Sequence, residues 1–419
     1  MRPLITRRQF SASVTALATL GLGSRALADN WPSWRGPNRD GWIGTKLPEK
    51  IGQLQPAWTV ELGDSYSGPI ISGKNVLVTE TLNKKSETLI ALERATGNQV
   101  WKKEWAGAMS VPFFASSNGD WIRSTPATDG KRIVVGGMRD VVACFDAETG
   151  NELWRIDFNK DHKVDLPSFG LVCSPLIDGE SVYVQAGGGI RQIHLADGKL
   201  GWMALKEAGG MMGGAFSSPV IANLNGTRQL VAATREAMVG LELASGKELW
   251  QRPIQTFRGM NILTPTIFGE QILTSSYGGR SQAIRVKAES PTGWSTDIAW
   301  EGKSEAYMSS PIVVGEYAFM HLKNQRVCCI DLTDGSEKWR TQPFGKYWSM
   351  VTDGARILAL DESGKLYLLA ANPEKFELLD QLQVSDQSCW AHLAVVGNEI
   401  FIRFQRGLKM YKITTSDFG

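Results

Sequence analysis

FDAETGNELW, Phe145 to Trp154, decides the fold. An alternating apolar run ends at Asp146, Thr149-Gly150 turns the chain, and Trp154 follows four residues after the glycine. Glycine supplies the positive φ of such a turn, and Asp or Thr bonds the local backbone. Nearly the same phrase returns in LERATGNQVW to Trp101, HLADGKLGW to Trp202, LELASGKELW to Trp250 and IDLTDGSEKW to Trp339. A short unit repeated at a steady period is one supersecondary block that cannot bury its own faces alone.

Each unit opens on a small residue and a proline: Gly68-Pro69, Thr125-Pro126, Ser174-Pro175, Ser218-Pro219, Thr264-Pro265 and Ser310-Pro311. The prolines lie 57, 49, 44, 46 and 46 residues apart. Two degenerate units follow, from Met350 and Leu393. Eight units at about 40–50 residues each predict an all-β, eight-bladed β-propeller of four-stranded antiparallel blades. In the second unit TPATDG reads as strand A, RIVVGG as B, VVACFDA as C and NELWRIDF as D, with period-two alternation and β-branched residues. Trp58, Trp101, Trp154, Trp202, Trp250 and Trp339 are expected to wedge between blades. Burying one indole removes about 150–250 Å² from water, at most about 4–6 kcal/mol.

The last unit supplies only three strands, and PAWTVEL (Pro56 to Leu62) reads as an orphan strand D. The N-terminal strand is expected to complete the last blade and remove an open edge. On this reading the propeller spans residues 56–414, with a tail at 415–419, and a cut at Gln55 is tolerated far better than one at Gly63.

Residues 1–28 hold Arg2, Arg7, Arg8 and Arg25, a moderately apolar run and Ala26-Leu27-Ala28, with no acid. The segment resembles a twin-arginine export signal cleaved near Ala28, which implies a periplasmic or secreted protein. Without it the chain carries 41 basic and 43 acidic residues, which gives no electrostatic footprint for nucleic acid. No other apolar run approaches the ~20 residues of a membrane span. Residues 29–55 form a Trp-, Pro- and Gly-rich arm in which Trp31, Trp34 and Trp42 are expected to pack on the body. Cys144, Cys173, Cys328, Cys329 and Cys389 have neither disulfide-framework nor metal spacing.

Local chemical motifs are sparse. DFNKDHKVD (Asp157 to Asp165) partly echoes a calcium loop but lacks its turn glycine and bidentate Glu, and reads as a solvated loop. Gly209 to Gly214 reads as a connector, and His162, His194, His321 and His392 are scattered, with His392 alone near the axis. No catalytic or metal-ligating set is expected. In a propeller the D–A and B–C loops open on one face around the axis. The D–A loops carry Tyr66, Arg123, Ser124, Phe216, Ser217, Asn261, Tyr307, Ser309, Tyr347, Trp348 and Trp390. The B–C turns carry Arg139, Arg191, Arg235, Arg280, Lys323 and Arg406, with Asp140, Glu236 and Glu362 diluting the positive field. A basic, aromatic funnel there would suit an anionic ligand, a glycan or an acidic loop.

The pattern small-Pro, strand, x-G-x-x-V, strand, A-x-D-x-x-T-G-x-x-x-W resembles the PQQ-like β-propeller repeat over roughly residues 31–414. Trp31-Pro32-Ser33-Trp34-Arg35-Gly36-Pro37 resembles the start of its secreted bacterial members. That family includes cofactor-free scaffolds, one of them an eight-bladed lipoprotein that assists outer-membrane protein assembly, and quinoprotein dehydrogenases. The resemblance therefore implies a monomeric, non-catalytic binding or scaffold propeller for an envelope protein, with no cofactor. The alternatives are a PQQ- and calcium-dependent dehydrogenase, or a glycan-binding propeller. Dehydrogenases of the family often hold a vicinal disulfide against the quinone. Here Cys328-Cys329 lie mid-strand, where neighbouring side chains point to opposite faces, and read as two packed thiols.

Overall fold

The computed structural model describes residues 30–207, 209–289 and 293–413; the expected export segment and the tail 415–419 lie outside them. Among the described residues eight four-stranded antiparallel sheets form a ring of blades. Blades 1 to 7 span Ile70–Ala106, Ala127–Asp157, Leu176–Ala204, Val220–Pro253, Thr266–Gly302, Ile312–Arg340 and Ser349–Gln383. Blade 8 takes Ala394–Val396, Glu399–Phe404 and Gly407–Lys412 from the end of the chain, and its outer strand is Pro56–Glu61. The expected closure by the N-terminal strand is thus present, with Thr59 opposite Lys409 and Val60 opposite Leu408.

The repeated motif acquires a physical meaning at the blade interfaces. Asp146 Oδ1 accepts the N–H of Thr149 at 2.7 Å and its hydroxyl at 2.7 Å, which fixes the C–D turn. Gly150 then has φ +70°, and a Cβ there would stand 2.7 Å from the Trp101 ring of the preceding blade. Gly97, Gly198, Gly246 and Gly335 receive Trp58, Trp154, Trp202 and Trp300 in the same way. In four of these five sockets the indole N–H donates to the carbonyl three residues before the glycine: Trp58 to Arg94, Trp154 to Leu195, Trp202 to Leu243 and Trp300 to Leu332, at 2.7–3.0 Å. The Thr-Gly turn is therefore a socket for the neighbour's indole, and only glycine leaves room for it.

The spacing from glycine to tryptophan has its own cause. Cys144 pairs with Trp154 and Phe145 with Glu152, so Leu153 is an extra residue, a β-bulge. Similar shifts place Val100, Leu249 and Lys338 just before Trp101, Trp250 and Trp339. A bulge re-aims the next side chain. It turns the indole toward the following blade and leaves Val100 and Leu153 exposed.

The small-Pro signature builds an inner belt. Gly68 N–H donates to Thr125 Oγ1, Thr125 to Ser174 Oγ, Ser174 to Ser218 Oγ and Thr264 to Ser310 Oγ, at 2.9–3.1 Å. Each hydroxyl satisfies the amide just before the proline of the preceding blade, two residues ahead of that blade's inner strand.

The arm does more than pack on the body. It enters the axial channel from the face of the A–B and C–D turns and satisfies the inner edges of the strands. Trp31 exchanges two backbone hydrogen bonds with Ile71, Pro32 O accepts from Thr128, and Ile43 and Gly41 bond Thr352. Leu47 and Ile51 are fully buried in the same core as blade 8. A cut at Gln55 therefore removes core as well as arm, whereas one at Gly63 also removes the outer strand of blade 8.

Candidate functional site: an aromatic funnel on the axis

Arg35 and Arg39 lie inside the channel, almost wholly buried. The Arg35 guanidinium donates to Pro311 O at 2.6 Å and Asp40 O at 3.0 Å. That of Arg39 donates to Pro175 O at 2.7 Å and Ser174 O at 2.9 Å. Apart from Asp40 of the arm itself, these partners are carbonyls at the starts of inner strands, and burial pushes both guanidinium pKa values down to about 10. Beside them Trp34 donates its indole N–H to Thr264 Oγ1 at 2.9 Å and meets His392 edge-on at 5.0 Å. This non-repeating segment is the floor of a cavity of about 620 Å³ that opens on the D–A and B–C face.

The walls are aromatic because every D–A loop contributes a ring. Trp121 meets Tyr66 at 5.1 Å, and Tyr66 stacks on Trp390 at 4.8 Å. Trp390 meets Tyr347 at 4.6 Å, and Tyr307, Tyr277 and Phe257 continue the series. Arg258 then lies over Phe257 at 5.1 Å, while Arg235 donates to Arg258 O and lies over Phe216 at 4.2 Å. Phe216, Phe169, Phe114 and Phe113 bring the necklace back to the loop that holds Trp121. At the lip Phe113 is 89 % exposed and Phe114 57 %, with Met211, Met212 and Phe257 also exposed.

Of the residues named from sequence, the fold brings Arg123, Arg235, Trp348, Trp390 and His392 to this cavity. Ser124 and Ser217 are buried beneath it and donate to Cys173 O and Leu263 O of the next blades. Asn261 is buried and donates to Thr234 O. Arg139 and Arg280 stand on exposed turns outside the lining, the latter 3.9 Å from Glu301. Lys323 pairs with Glu305 at 3.2 Å and caps the Tyr277 ring at 4.1 Å. Arg191 lines a second cavity, of about 490 Å³, with Asp140 and Glu207. Desolvation pushes those carboxyls up to about 6 and about 7.

Where the sequence led to the expectation of a basic and aromatic funnel diluted by acids, the lining is aromatic and methionine-rich with three arginines, Arg123, Arg235 and Arg258. Sequence reading missed Trp34, Phe114, Phe169 and Phe257. A ring in each D–A loop is a usable signal, but its distance to the following proline varies from loop to loop.

Burial, and to a lesser degree the nearby Arg35, push His392 down to about 3, so it stays neutral; its Nδ1 lies 2.8 Å from Leu393 O. Burial pushes the Tyr66 and Tyr307 phenols up to about 12. The site therefore offers flat apolar faces, thioethers and cationic guanidiniums.

A calcium–quinone centre does not fit these residues. Cys328 packs in the interface of blades 5 and 6 and Cys329 in that of blades 6 and 7. Among the described residues the funnel lining carries no carboxylate, and no three His, Cys, Asp or Glu side chains come together to hold a metal. The calcium-loop echo at Asp157 is instead a short helix, Phe158–His162, capped by the Asp157 side chain on Lys160 N–H.

Comparison with known proteins agrees with this architecture. Residues 84–341, more than half of the chain, match the family model described as outer membrane protein assembly factor BamB. The factor of that name from Shewanella oneidensis is 20 % identical over 337 residues, covering 76 % of this chain and 78 % of its own. The one from Moranella endobia is 23 % identical over 314 residues, 69 % of this chain and 75 % of its own. Among solved structures, BamB from Moraxella catarrhalis superposes with a TM-score of 0.62 at 13 % identity, covering 86 % of this chain and 98 % of that one. A europium-containing methanol dehydrogenase superposes with a TM-score of 0.52 at 11 % identity, covering 93 % and 100 %, which is likeness of fold alone. The chain belongs to the PQQ-like repeat family of the outer membrane protein assembly factor BamB.

Proposed function

We propose that this protein is a non-catalytic docking propeller of the cell envelope, exported by its N-terminal segment and acting as a monomer. It holds a partner protein on the lip of the funnel. The observation that carries this reading is the exposed apolar crown of Phe113, Phe114, Met211, Met212 and Phe257, set on a ring of packed aromatics. Exposed apolar patches rimmed by polar groups mark interaction sites. Aromatic, Met and Arg side chains dominate the energetic centres of protein interfaces. The relatives' name, outer membrane protein assembly factor, supports a partner in the assembly of outer membrane proteins.

Photo-crosslinking from single probes tests this. Probes replacing Phe114 and Met212 in envelope-expressed protein should crosslink to a component of outer membrane protein assembly. A probe at Leu153, exposed on a blade rim, should not. Equal crosslinking from all three positions, or none from the lip, would overturn the reading. Among the described residues no helix is long and apolar enough to cross a membrane.

A further inference from the structure

We propose that the funnel beneath the lip is a binding site for an amphipathic carboxylate, an acyl chain carrying one acid group. The inference goes beyond docking and rests on the cavity alone. Its volume, about 620 Å³, lies in the range of small-molecule sites, about 300–1,000 Å³. Its walls present aromatic faces and the thioethers of Met260, Met308 and Met350. Such walls take a flexible apolar chain readily.

The charge is one-sided. Arg123, Arg235 and Arg258 line the cavity, and Arg35 and Arg39 are buried in the hub outside the lining. None of the five has a carboxylate within ion-pair distance among the described residues, and none of the lining residues is acidic. The carboxylates closest in effect, Asp120 to Arg123, Glu207 to Arg235 and Asp40 to Arg35, all stand outside the lining. Arg123 makes a single side-chain hydrogen bond, to Gly119 O at 2.5 Å, and Arg258 rests on Phe257 at the lip. A cleft of one sign with low-dielectric walls focuses its field on whatever enters. A cationic amphiphile meets the three lining guanidiniums, and a neutral one leaves them without a counter-charge inside the cavity. An acyl carboxylate places its acid among the arginines at the mouth and its chain along the rings toward Trp34.

Tryptophan quenching tests this on the full mature protein, since Trp34 and Trp390 line the cavity. Dodecanoate and dodecyltrimethylammonium are titrated separately below their critical micelle concentrations, and dodecanol below its solubility limit, at pH 7.5. Dodecanoate should bind at least ten-fold more tightly than dodecanol, and the ammonium should not bind. R258E, on an exposed side chain that cannot upset folding, should erase most of the preference, and R123Q, with unchanged circular dichroism, should weaken dodecanoate while leaving dodecanol within two-fold. Equal affinity for acid and alcohol would overturn the charge assignment. No binding of any probe would overturn the site itself, while crosslinking at Phe114 would still decide the docking reading separately.

Discussion

Replacing Gly198 by alanine tests the claim that the motif glycine is a socket rather than merely a turn residue. Gly198 has φ +73°, and its Cβ would lie 2.8 Å from Cδ2 of Trp154. Gly226, in the A–B turn of blade 4, has φ +74° with nothing within 4 Å of the same position. Both substitutions incur the left-handed penalty of an L-residue, about 1–2 kcal/mol. Only Gly198→Ala must also push back an indole held by its 2.9 Å hydrogen bond to Leu195 O, an overpacking cost of about 1–3 kcal/mol. The expected losses are therefore about 2–5 kcal/mol for G198A and about 1–2 kcal/mol for G226A. Urea midpoints at unchanged slope measure the difference. Trp154→Ala alone should cost about 3–5 kcal/mol. On that background G198A should fall to the cost of G226A, giving a coupling of about 1–3 kcal/mol in the double-mutant cycle. Equal midpoints for G198A and G226A, or strict additivity with W154A, would refute the socket.

Three further outcomes are expected. Glu87 is fully buried, accepts from Met138 N–H at 2.9 Å and Trp105 Nε1–H at 3.0 Å, and desolvation pushes its carboxyl up to about 8. Its contribution is fully present below about pH 4.5 and is lost as pH rises toward 8, by at most about 5 kcal/mol. Thermal melts of the parent should therefore fall across that window more steeply than those of E87Q; parallel profiles would count against a neutral Glu87. Trp300, whose ring sits on Gly335 although no T-G-x-x-x-W phrase precedes it, should cost about 3–5 kcal/mol as alanine, as much as Trp154, in urea titrations. A chain begun at Gln55 should melt earlier than the parent but elute as a folded monomer. One begun at Gly63 should aggregate, because the Gly407–Lys412 strand loses its partner; identical behaviour by size exclusion would disprove a separate closing role.

The ring was legible because its determinants are local and periodic. Turn residues, alternation and a marker tryptophan repeat in register, and a fourth strand missing at one end reappears at the other. The socket was not legible, since the ring filling Gly150 belongs to Trp101, outside the motif that contains the glycine. Nor was the bulge at Leu153, because one added residue ahead of Trp154 leaves no mark of its own in the apolar alternation. The arm escaped because it occurs once, and its arginines bond backbone carbonyls that carry no side-chain signature. For the funnel, sequence placed the right loops on the right face. It overweighted charge, because Arg280 and Lys323 face Glu301 of a strand and Glu305 of another loop, which only the fold brings beside them.

The way blade 8 is made gives the molecule a test of its own completeness. Its outer strand and the arm that fills the hub come from the first 61 residues, yet their partners include Lys409, Leu408 and, for Thr45, Gly397 O. Contacts spanning nearly the whole sequence are the slowest to form. A nascent or prematurely ended polypeptide can stack its middle blades pairwise, but it keeps an unpaired edge and an unfilled hub until the last strand arrives. Such an edge is a ready template for pairing with another chain, so joining the N-terminal strand to Gly407–Lys412 also withdraws an aggregation site.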